Sequence, residues 1–303
     1  MTGNLFNALA QNSADVSSGM LYMLLSICCS VSISLILKFH EIRRGSRLVA
    51  LAGNYIVAAA INLFLWWRME FAALNNTVIL LGIAVGVLFV LTFWLIMISI
   101  GRMGVATTIS VNRLAVVMPV GVAVVFFGER LSALYIPGLI MGLVSFILFG
   151  QAASREETAS KRAWNRWLLL CVFLSMGVTG ISVQSYEQYF PAQQRNGFLT
   201  LVFGVAMICT WFMVLQRRET IRAADVKLGL IMGIPNGFSA FFFMSAIHYL
   251  PDIVIFPVND VAVVLFSTLG AFLIWREKLN RTGGVALALA VAAIVLMNIK
   301  LTT

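Results

Sequence analysis

Val258-Asn259-Asp260-Val261-Ala262-Val263-Val264 places an amide and a carboxylate inside an apolar segment. A related stretch occurs earlier, Val111-Asn112-Arg113-Leu114-Ala115-Val116-Val117, and the two agree at five of seven positions. Where the later stretch carries Asp260, the earlier one carries Arg113. The pair predicts two related halves that hold opposite charges at equivalent points.

The composition surrounding these stretches is that of a membrane protein. Of 303 residues, 61% are hydrophobic and 11% are charged, against roughly 25% charged in a soluble domain. Apolar runs of about 20 residues recur along the chain, the length that crosses a hydrocarbon core of about 30 Å. Because lipid leaves backbone groups without partners, such spans are helices. The sequence therefore predicts an all-α polytopic membrane protein.

Charge and motifs exclude several classes of function. The net charge of +9 comes from basic residues in short loops, where the positive-inside rule accounts for them. We therefore expect the lipid bilayer and a small-molecule substrate as partners, and no nucleic acid. The sequence contains no paired-histidine metal motif, phosphate-binding glycine loop or nucleophile elbow. We expect neither an enzyme nor a cofactor.

Ten spans can be placed, and they divide the chain into two halves. The expected organisation is a tail over 1–17, a first five-helix repeat over 18–151, a connecting loop over 152–164 and a second repeat over 165–303. The predicted spans are Ser18–Leu37, Leu48–Trp66, Thr77–Ile100, Val105–Phe127, Leu134–Gln151, Asn165–Gln184, Gly197–Gln216, Leu228–Tyr249, Ile253–Trp275 and Thr282–Ile299.

An internal repeat supports this division. At an offset of 147 residues, Gly82 and Gly86 fall on Gly229 and Gly233, and Asn112 falls on Asn259. Since each half has an odd number of spans, the halves are expected to be inverted in the membrane, a recurrent transporter design. The two glycine pairs are expected to allow equivalent close helix contacts in each half.

The orientation follows from the loop charges. Odd-numbered loops hold sixteen Lys and Arg residues, whereas even-numbered loops and the tails hold four. By the positive-inside rule, both termini are expected outside the cytoplasm. Short loops without targeting signals suit a bacterial inner membrane.

Several motifs resemble the EamA-type transporters of the drug/metabolite transporter superfamily. The resemblance covers essentially the whole chain, and it implies a secondary transporter of small organic solutes with a central cavity. Acidic-basic turns precede the last span of each half, and their Glu129 and Glu277 are expected to cap helices or form salt bridges. The motifs are Phe127–Ser132, Gly233–Asn236, Ala246–Pro251, Phe256–Val258 and Trp275–Leu279.

Arg113 and Asp260 are the leading candidates for the functional site. A charge near the middle of a span costs about 2.5–3.5 kcal/mol on insertion scales, so it usually faces a cavity or a partner. At about 1.5 Å per residue, Arg113 lies about 12 Å and Asp260 about 10 Å from opposite ends of their spans. In a core of about 30 Å this leaves roughly 8 Å of depth between their backbones, a gap that the long side chains or a zwitterionic solute could close. That separation favours a zwitterionic solute bridging the two charges over a permanent ion pair.

Other polar and aromatic residues are weaker candidates. Asn112, Asn259, Asn236, Trp94 and Gln184 are predicted to contact substrate, although the amides could equally link helices and Trp94 could pack against its neighbours. Asp260 and Glu187 are the proton-coupling candidates, with a solvated helix end as the other interpretation of Glu187.

These observations predict a secondary active transporter of small polar or zwitterionic, amino-acid-like metabolites. Export is favoured over import, with alternating access around a midplane cavity, in a monomer or a homodimer. One alternative is a proton-coupled carrier of organic cations, such as drugs or choline-like compounds. A second is a non-transporting scaffold or a lipid-handling protein.

Overall fold

The computed structural model describes residues 2–43, 45–103, 105–129, 135–151, 159–275 and 281–298. Within these residues every regular element is helical. Eleven α-helices and one short 3₁₀ turn, Ala192–Gln194, follow in chain order. The helices are α1 Thr2–Ile42, α2 Arg47–Arg68, α3 Asn76–Met103, α4 Val105–Leu114, α5 Val117–Val125, α6 Tyr135–Gln151, α7 Ala159–Tyr189, α8 Arg195–Gln216, α9 Ala223–Tyr249, α10 Asp252–Trp275 and α11 Arg281–Asn298.

The apolar helices fall on all ten predicted spans. In the described part of the chain, seven are long and apolar enough to cross a membrane. The shorter apolar helices occupy the remaining positions at Val111–Val125, Tyr135–Leu148 and Arg281–Ala293. The prediction of an all-α polytopic membrane protein is confirmed.

Two helices begin earlier than the apolar pattern indicates. α1 begins at Thr2 and α7 at Ala159, whereas the predicted spans start near Ser18 and Asn165. Hydropathy marks the part of a helix that crosses lipid, and the helical backbone continues beyond it. Residues 152–158 of the expected connecting loop lie outside the described residues. So do Arg130–Ser132 and Arg276–Leu279 of the acidic-basic turns, including Glu277.

The fourth span is broken at its centre. Pro119 has no N–H to bond the carbonyl of Ala115, as an unbroken helix requires, and that carbonyl accepts from Met118 N at 3.0 Å. Val116 N likewise bonds to Arg113 O at 3.2 Å. The regular helix therefore ends at Leu114, directly after Arg113, and resumes as α5. α10 runs through Pro257 without interruption.

Equivalent helices of the two halves make equivalent contacts. α2 packs on α9 as α8 packs on α3, and α1 packs on α9 as α7 packs on α3. A Cβ added at Gly233 would lie 2.5 Å from the carbonyl oxygen of Asn54, and one at Gly86 would lie 2.7 Å from that of Val202. Both glycine pairs therefore allow the close helix contact predicted for them.

The order of these contacts shows that the halves are inverted. Gly229, Gly233 and Gly237 of α9 meet Ala50, Asn54 and Ala58 of α2 in ascending order, so α2 and α9 are parallel. α2 and α3 are consecutive spans joined by a short connection and therefore run in opposite directions. α9, the equivalent of α3, thus runs opposite to it.

Glu129 ties the two halves together at the start of α10. Gly128 adopts φ +70°, a left-handed conformation that glycine accepts without steric cost, and it turns the chain after α5. The Glu129 carboxylate then accepts hydrogen bonds from Asp252 N at 3.0 Å and Ile253 N at 2.8 Å. The capping role expected for Glu129 is confirmed, although the helix that it caps belongs to the other half.

Candidate functional site

A cavity of about 250 Å³ lies where the two halves meet. This volume is slightly below the roughly 300–1,000 Å³ of most small-molecule pockets, so the cavity suits a small solute. Its lining comes from α1, α3, α4, α5, α7, α8, α9 and α10. Five of the predicted binding residues line it: Asn112, Arg113, Asn236, Asn259 and Asp260.

Arg113 and Asp260 form a direct ion pair across the cavity. Arg113 Nη1 donates to Asp260 Oδ1 at 2.5 Å. The preference for a bridging solute over a direct ion pair is therefore wrong for this conformation. α4 ends one residue after Arg113, and the long arginine side chain reaches the carboxylate. The two side chains are 20% and 16% exposed, so the pair is accessible from the cavity.

Asn112 and Asn259 flank this ion pair, one from each half. They are 8% and 9% exposed. Neither side-chain oxygen has a hydrogen-bond partner within the described residues, and the same is true of Arg113 Nε. An unpaired buried acceptor costs about 1–3 kcal/mol, so the site has unused capacity to bind a ligand.

A serine cluster lines the cavity on the side of α1 and α9. Ser30 Oγ and Ser239 Oγ are 2.8 Å apart, and Ser26 Oγ donates to the carbonyl of Ser239 at 3.3 Å. All three serines line the cavity. Sequence reasoning missed them because a serine inside an apolar span has no insertion cost large enough to draw attention.

The aromatic part of the lining differs from the prediction. Phe243 and Phe256 meet edge to face with ring centroids 5.2 Å apart, and Phe89 meets Phe203 in the same way at 6.2 Å. All four line the cavity, and Phe198 joins them. Trp94 is not part of the lining, and its contact with substrate stays a prediction.

Gln184 also lies outside the cavity lining. Its side chain is fully buried and Nε2 donates to the carbonyl of Pro119 at 3.1 Å. The bond fastens α7 to the half-helix α5 directly behind the cavity. Gln184 therefore supports the site instead of lining it.

Glu187 belongs to a second buried ion pair. It accepts hydrogen bonds from Arg195 Nε at 2.7 Å and Nη2 at 2.5 Å, and its side chain is 3% exposed. Arg195 Nη1 also donates to Ser245 Oγ at 2.9 Å. The interpretation of Glu187 as a solvated helix end is therefore wrong, and its carboxylate joins the ends of α7, α8 and α9 away from the cavity.

A third buried pair joins α1 and α9 at the opposite end of the bundle. His40 Nε2 lies 3.0 Å from Asp225 Oδ1, and both residues are buried. Asp225 and Ser245 are 20 residues apart on α9, which corresponds to about 30 Å along the helix axis. Sequence reasoning missed this pair. The available signal was the repeat itself, since His40 falls on Glu187 at the same offset of 147.

Inverted five-helix halves, a membrane-spanning architecture and a charged central cavity together define the class of protein. A site at the interface of inverted repeats, beside a discontinuous helix, is typical of membrane transporters. The architecture is therefore that of a multi-pass membrane transporter.

Comparison with known proteins narrows this class. Residues 164–299 match the model of the EamA-like transporter family. An uncharacterized protein of Haemophilus influenzae is 23% identical over 283 residues, which cover 90% of this chain and 95% of that relative. A protein of known crystal structure superimposes with a TM-score of 0.73 at 13% identity, over 92% of this chain and 98% of its own. That likeness shows a shared fold. The family match over residues 164–299 confirms the predicted resemblance to the EamA-type transporters in the second half of the chain.

Proposed function

We propose that the protein is a secondary active transporter of small zwitterionic, amino-acid-like metabolites. The observation that carries the proposal is the Arg113–Asp260 ion pair facing a cavity between inverted halves. A zwitterion carries both charges of this pair, so it can be bound without leaving a net charge inside the membrane. The substrate carboxylate binds to the guanidinium of Arg113, and the ammonium group is held on the side of Asp260.

The site works by alternating access between two states. The five-helix halves, 18–151 and 165–303, rock about the cavity, with the Arg113–Asp260 pair at the contact between them. Asp260 is also the proton-coupling candidate of the site, because a proton on its carboxylate weakens the hold on Arg113. The favoured direction is export across a bacterial inner membrane, with both termini outside the cytoplasm.

The aromatic rings around the cavity favour one alternative. Phe89, Phe203, Phe243 and Phe256 offer π faces to an organic cation, and such contacts are worth about 0.5–2 kcal/mol each. In that case Asp260 binds the cation, and Arg113 is displaced from its carboxylate when the substrate enters.

A thermal-shift screen followed by transport in proteoliposomes tests the proposal. Amino acids are expected to stabilise the purified protein, whereas choline-like cations and nucleosides are not. Radiolabelled counterflow of the best amino acid is expected to fall at least 10-fold in Asp260→Asn and in Arg113→Gln. Stabilisation by cations alone would favour the alternative. Unchanged transport in both folded variants would reject the assigned site.

A further inference from the structure

Two buried carbonyl oxygens in the cavity, Oδ1 of Asn112 and Oδ1 of Asn259, are the basis of a further inference. Both residues line the cavity, both are more than nine-tenths buried, and neither oxygen has a partner among the described residues. Each comes from the equivalent position of its own half. A carbonyl oxygen only accepts hydrogen bonds, so a ligand that satisfies both must supply at least two donors.

The neighbouring charged side chains, Arg113 and Asp260, do not occupy these two oxygens. The Asn259 side chain interacts with the Asp260 carboxylate, which accepts only from the amide NH₂, so that contact leaves Oδ1 without a partner. Asp260 in turn accepts from Arg113 Nη1. Arg113 Nε is buried and has no partner within the described part of the chain. The site therefore offers an unused donor on Arg113 and two unused acceptors on the asparagines.

We propose that Asn112 and Asn259 bind the ammonium group of the substrate through two N–H donors, so that the transporter accepts primary and secondary amines and rejects tertiary and quaternary ones. The inference rests on the proposed function and narrows it. Asp260 stays paired with Arg113 and orients the guanidinium, while the substrate carboxylate binds to the free guanidinium edge.

The surroundings of the two oxygens are expected to make the loss of affinity large for a ligand that lacks N–H groups. Val116, Pro119 and Phe256 line the same cavity and have no side-chain donor, and the lining hydroxyls of Ser26 and Thr179 already donate to backbone carbonyls. A site built around hydrogen bonds rejects a ligand without the donors more strongly than a site built on shape alone, because its polar groups then stay unpaired. Removal of N–H groups from the ligand is therefore expected to weaken binding about 100-fold or more.

A methylation series on one ligand tests the inference. The probes are glycine, N-methylglycine, N,N-dimethylglycine and N,N,N-trimethylglycine, together with the same series on L-leucine in case the cavity requires an apolar side chain. As zwitterions they carry three, two, one and no N–H groups. Calorimetric titration of the full-length protein in detergent is expected to show a loss of affinity between the monomethyl and dimethyl forms.

Matched leucine variants identify the residues responsible. Leucine is close to asparagine in shape, and it removes the unpaired oxygen, so Asn112→Leu and Asn259→Leu are expected to fold. In both variants the methylated and unmethylated ligands are expected to bind with similar affinity. Asn54→Leu is the control: Asn54 is buried on α2 with an unpaired Oδ1, and it does not line the cavity. The control is expected to retain the full discrimination.

The outcomes separate this inference from the proposed function. The inference is overturned if the trimethyl form binds as tightly as the unmethylated form, or if the step persists in both cavity variants. In either case zwitterion binding, and the proposed function with it, still stands. If no member of either series and no other amino acid binds, the zwitterion substrate itself is rejected, and the role of the two asparagines is rejected with it.

Discussion

Arg113 and Asp260 are retained inside a membrane because each carries the opposite charge of the other. Either residue alone has a substantial insertion cost, and their contact at 2.5 Å offsets part of it. Their placement at equivalent points of the repeat brings them together where the halves meet. The same contact leaves a fifth or less of each side chain facing the cavity, which is enough for a solute to reach the pair.

Removal of one partner is expected to destabilise the protein more than removal of both. Loss of one member of a fully buried pair costs about 3–5 kcal/mol; this pair is partly exposed, so we expect about 1–3 kcal/mol for Asp260→Asn. Arg113→Gln in the same chain should recover part of the loss. A double-mutant cycle from unfolding in detergent micelles measures the coupling. Additive losses, with no coupling beyond error, would contradict a direct pair.

At the scale of the elements, glycine determines how closely helices of opposite halves approach. A Cβ on Gly233 would meet both the carbonyl oxygen of Asn54 and Val57 Cβ at 2.5–2.6 Å. A flexible side chain could yield to such a contact, but backbone cannot. The α2–α9 and α3–α8 interfaces therefore depend on the absence of a side chain.

Gly233→Ala is expected to destabilise the protein by about 1–3 kcal/mol, the typical cost of overpacking. Gly204→Ala is the matched control, because a Cβ there has no neighbour within 4 Å among the described residues. Alanine favours helix over glycine by about 1 kcal/mol, so the control should be neutral or stabilising. Melting temperatures of the two purified variants check this, and equal losses would contradict the packing argument.

The break between helices α4 and α5 also determines the geometry of the site. Pro119 removes one backbone donor, and Gln184 holds the following half-helix in place through its bond to the Pro119 carbonyl. Because the regular helix stops directly after Arg113, the guanidinium projects from a helix end instead of from the middle of a rod. Nη1 of this guanidinium contacts Oδ1 of Asp260.

At the scale of the whole molecule, buried clusters of hydrogen-bonded polar side chains join the helices at both ends of the bundle. His40 and Asp225 lie at one end, and Glu187, Arg195 and Ser245 lie at the other. Along α9, the residues that line the cavity, from Asn236 to Met244, lie between Asp225 and Ser245. Alternating access then requires one cluster to open while the other holds.

Weakening one cluster is expected to open the cavity from that side only. A Ser30→Cys reporter in the cavity, with the four native cysteines replaced by alanine, can be labelled by an impermeant maleimide in oriented vesicles. Asp225→Asn should speed labelling from the side where α1 ends, and Glu187→Gln from the side where α7 ends. A bias of 1–2 kcal/mol corresponds to about a 5–30-fold change in rate. Acceleration from the same side in both variants would contradict separate closures.

The amino-acid sequence by itself determined the class, the ten spans, the repeat and five residues of the cavity. These follow from properties that are local to the chain: the length of an apolar run, the cost of a charge within it and the recurrence of Asn112-Arg113 as Asn259-Asp260. The EamA resemblance rested on motifs of the same local kind. Such features can be predicted from the sequence without knowing how any two helices pack.

Only the tertiary structure decided which polar groups meet. Whether Arg113 contacts Asp260 depends on where α4 ends and on the directions in which the two side chains extend. An estimate of backbone depth includes neither. The removal of Trp94 and Gln184 from the lining, and the addition of three serines, depend on how each helix is rotated about its own axis. The burial of Glu187 depends on Arg195 and Ser245, which belong to two other helices. The linear sequence pattern does not specify how a helix is rotated about its axis or which side chains pack against it. For that reason these parts of the site could not be predicted from the sequence.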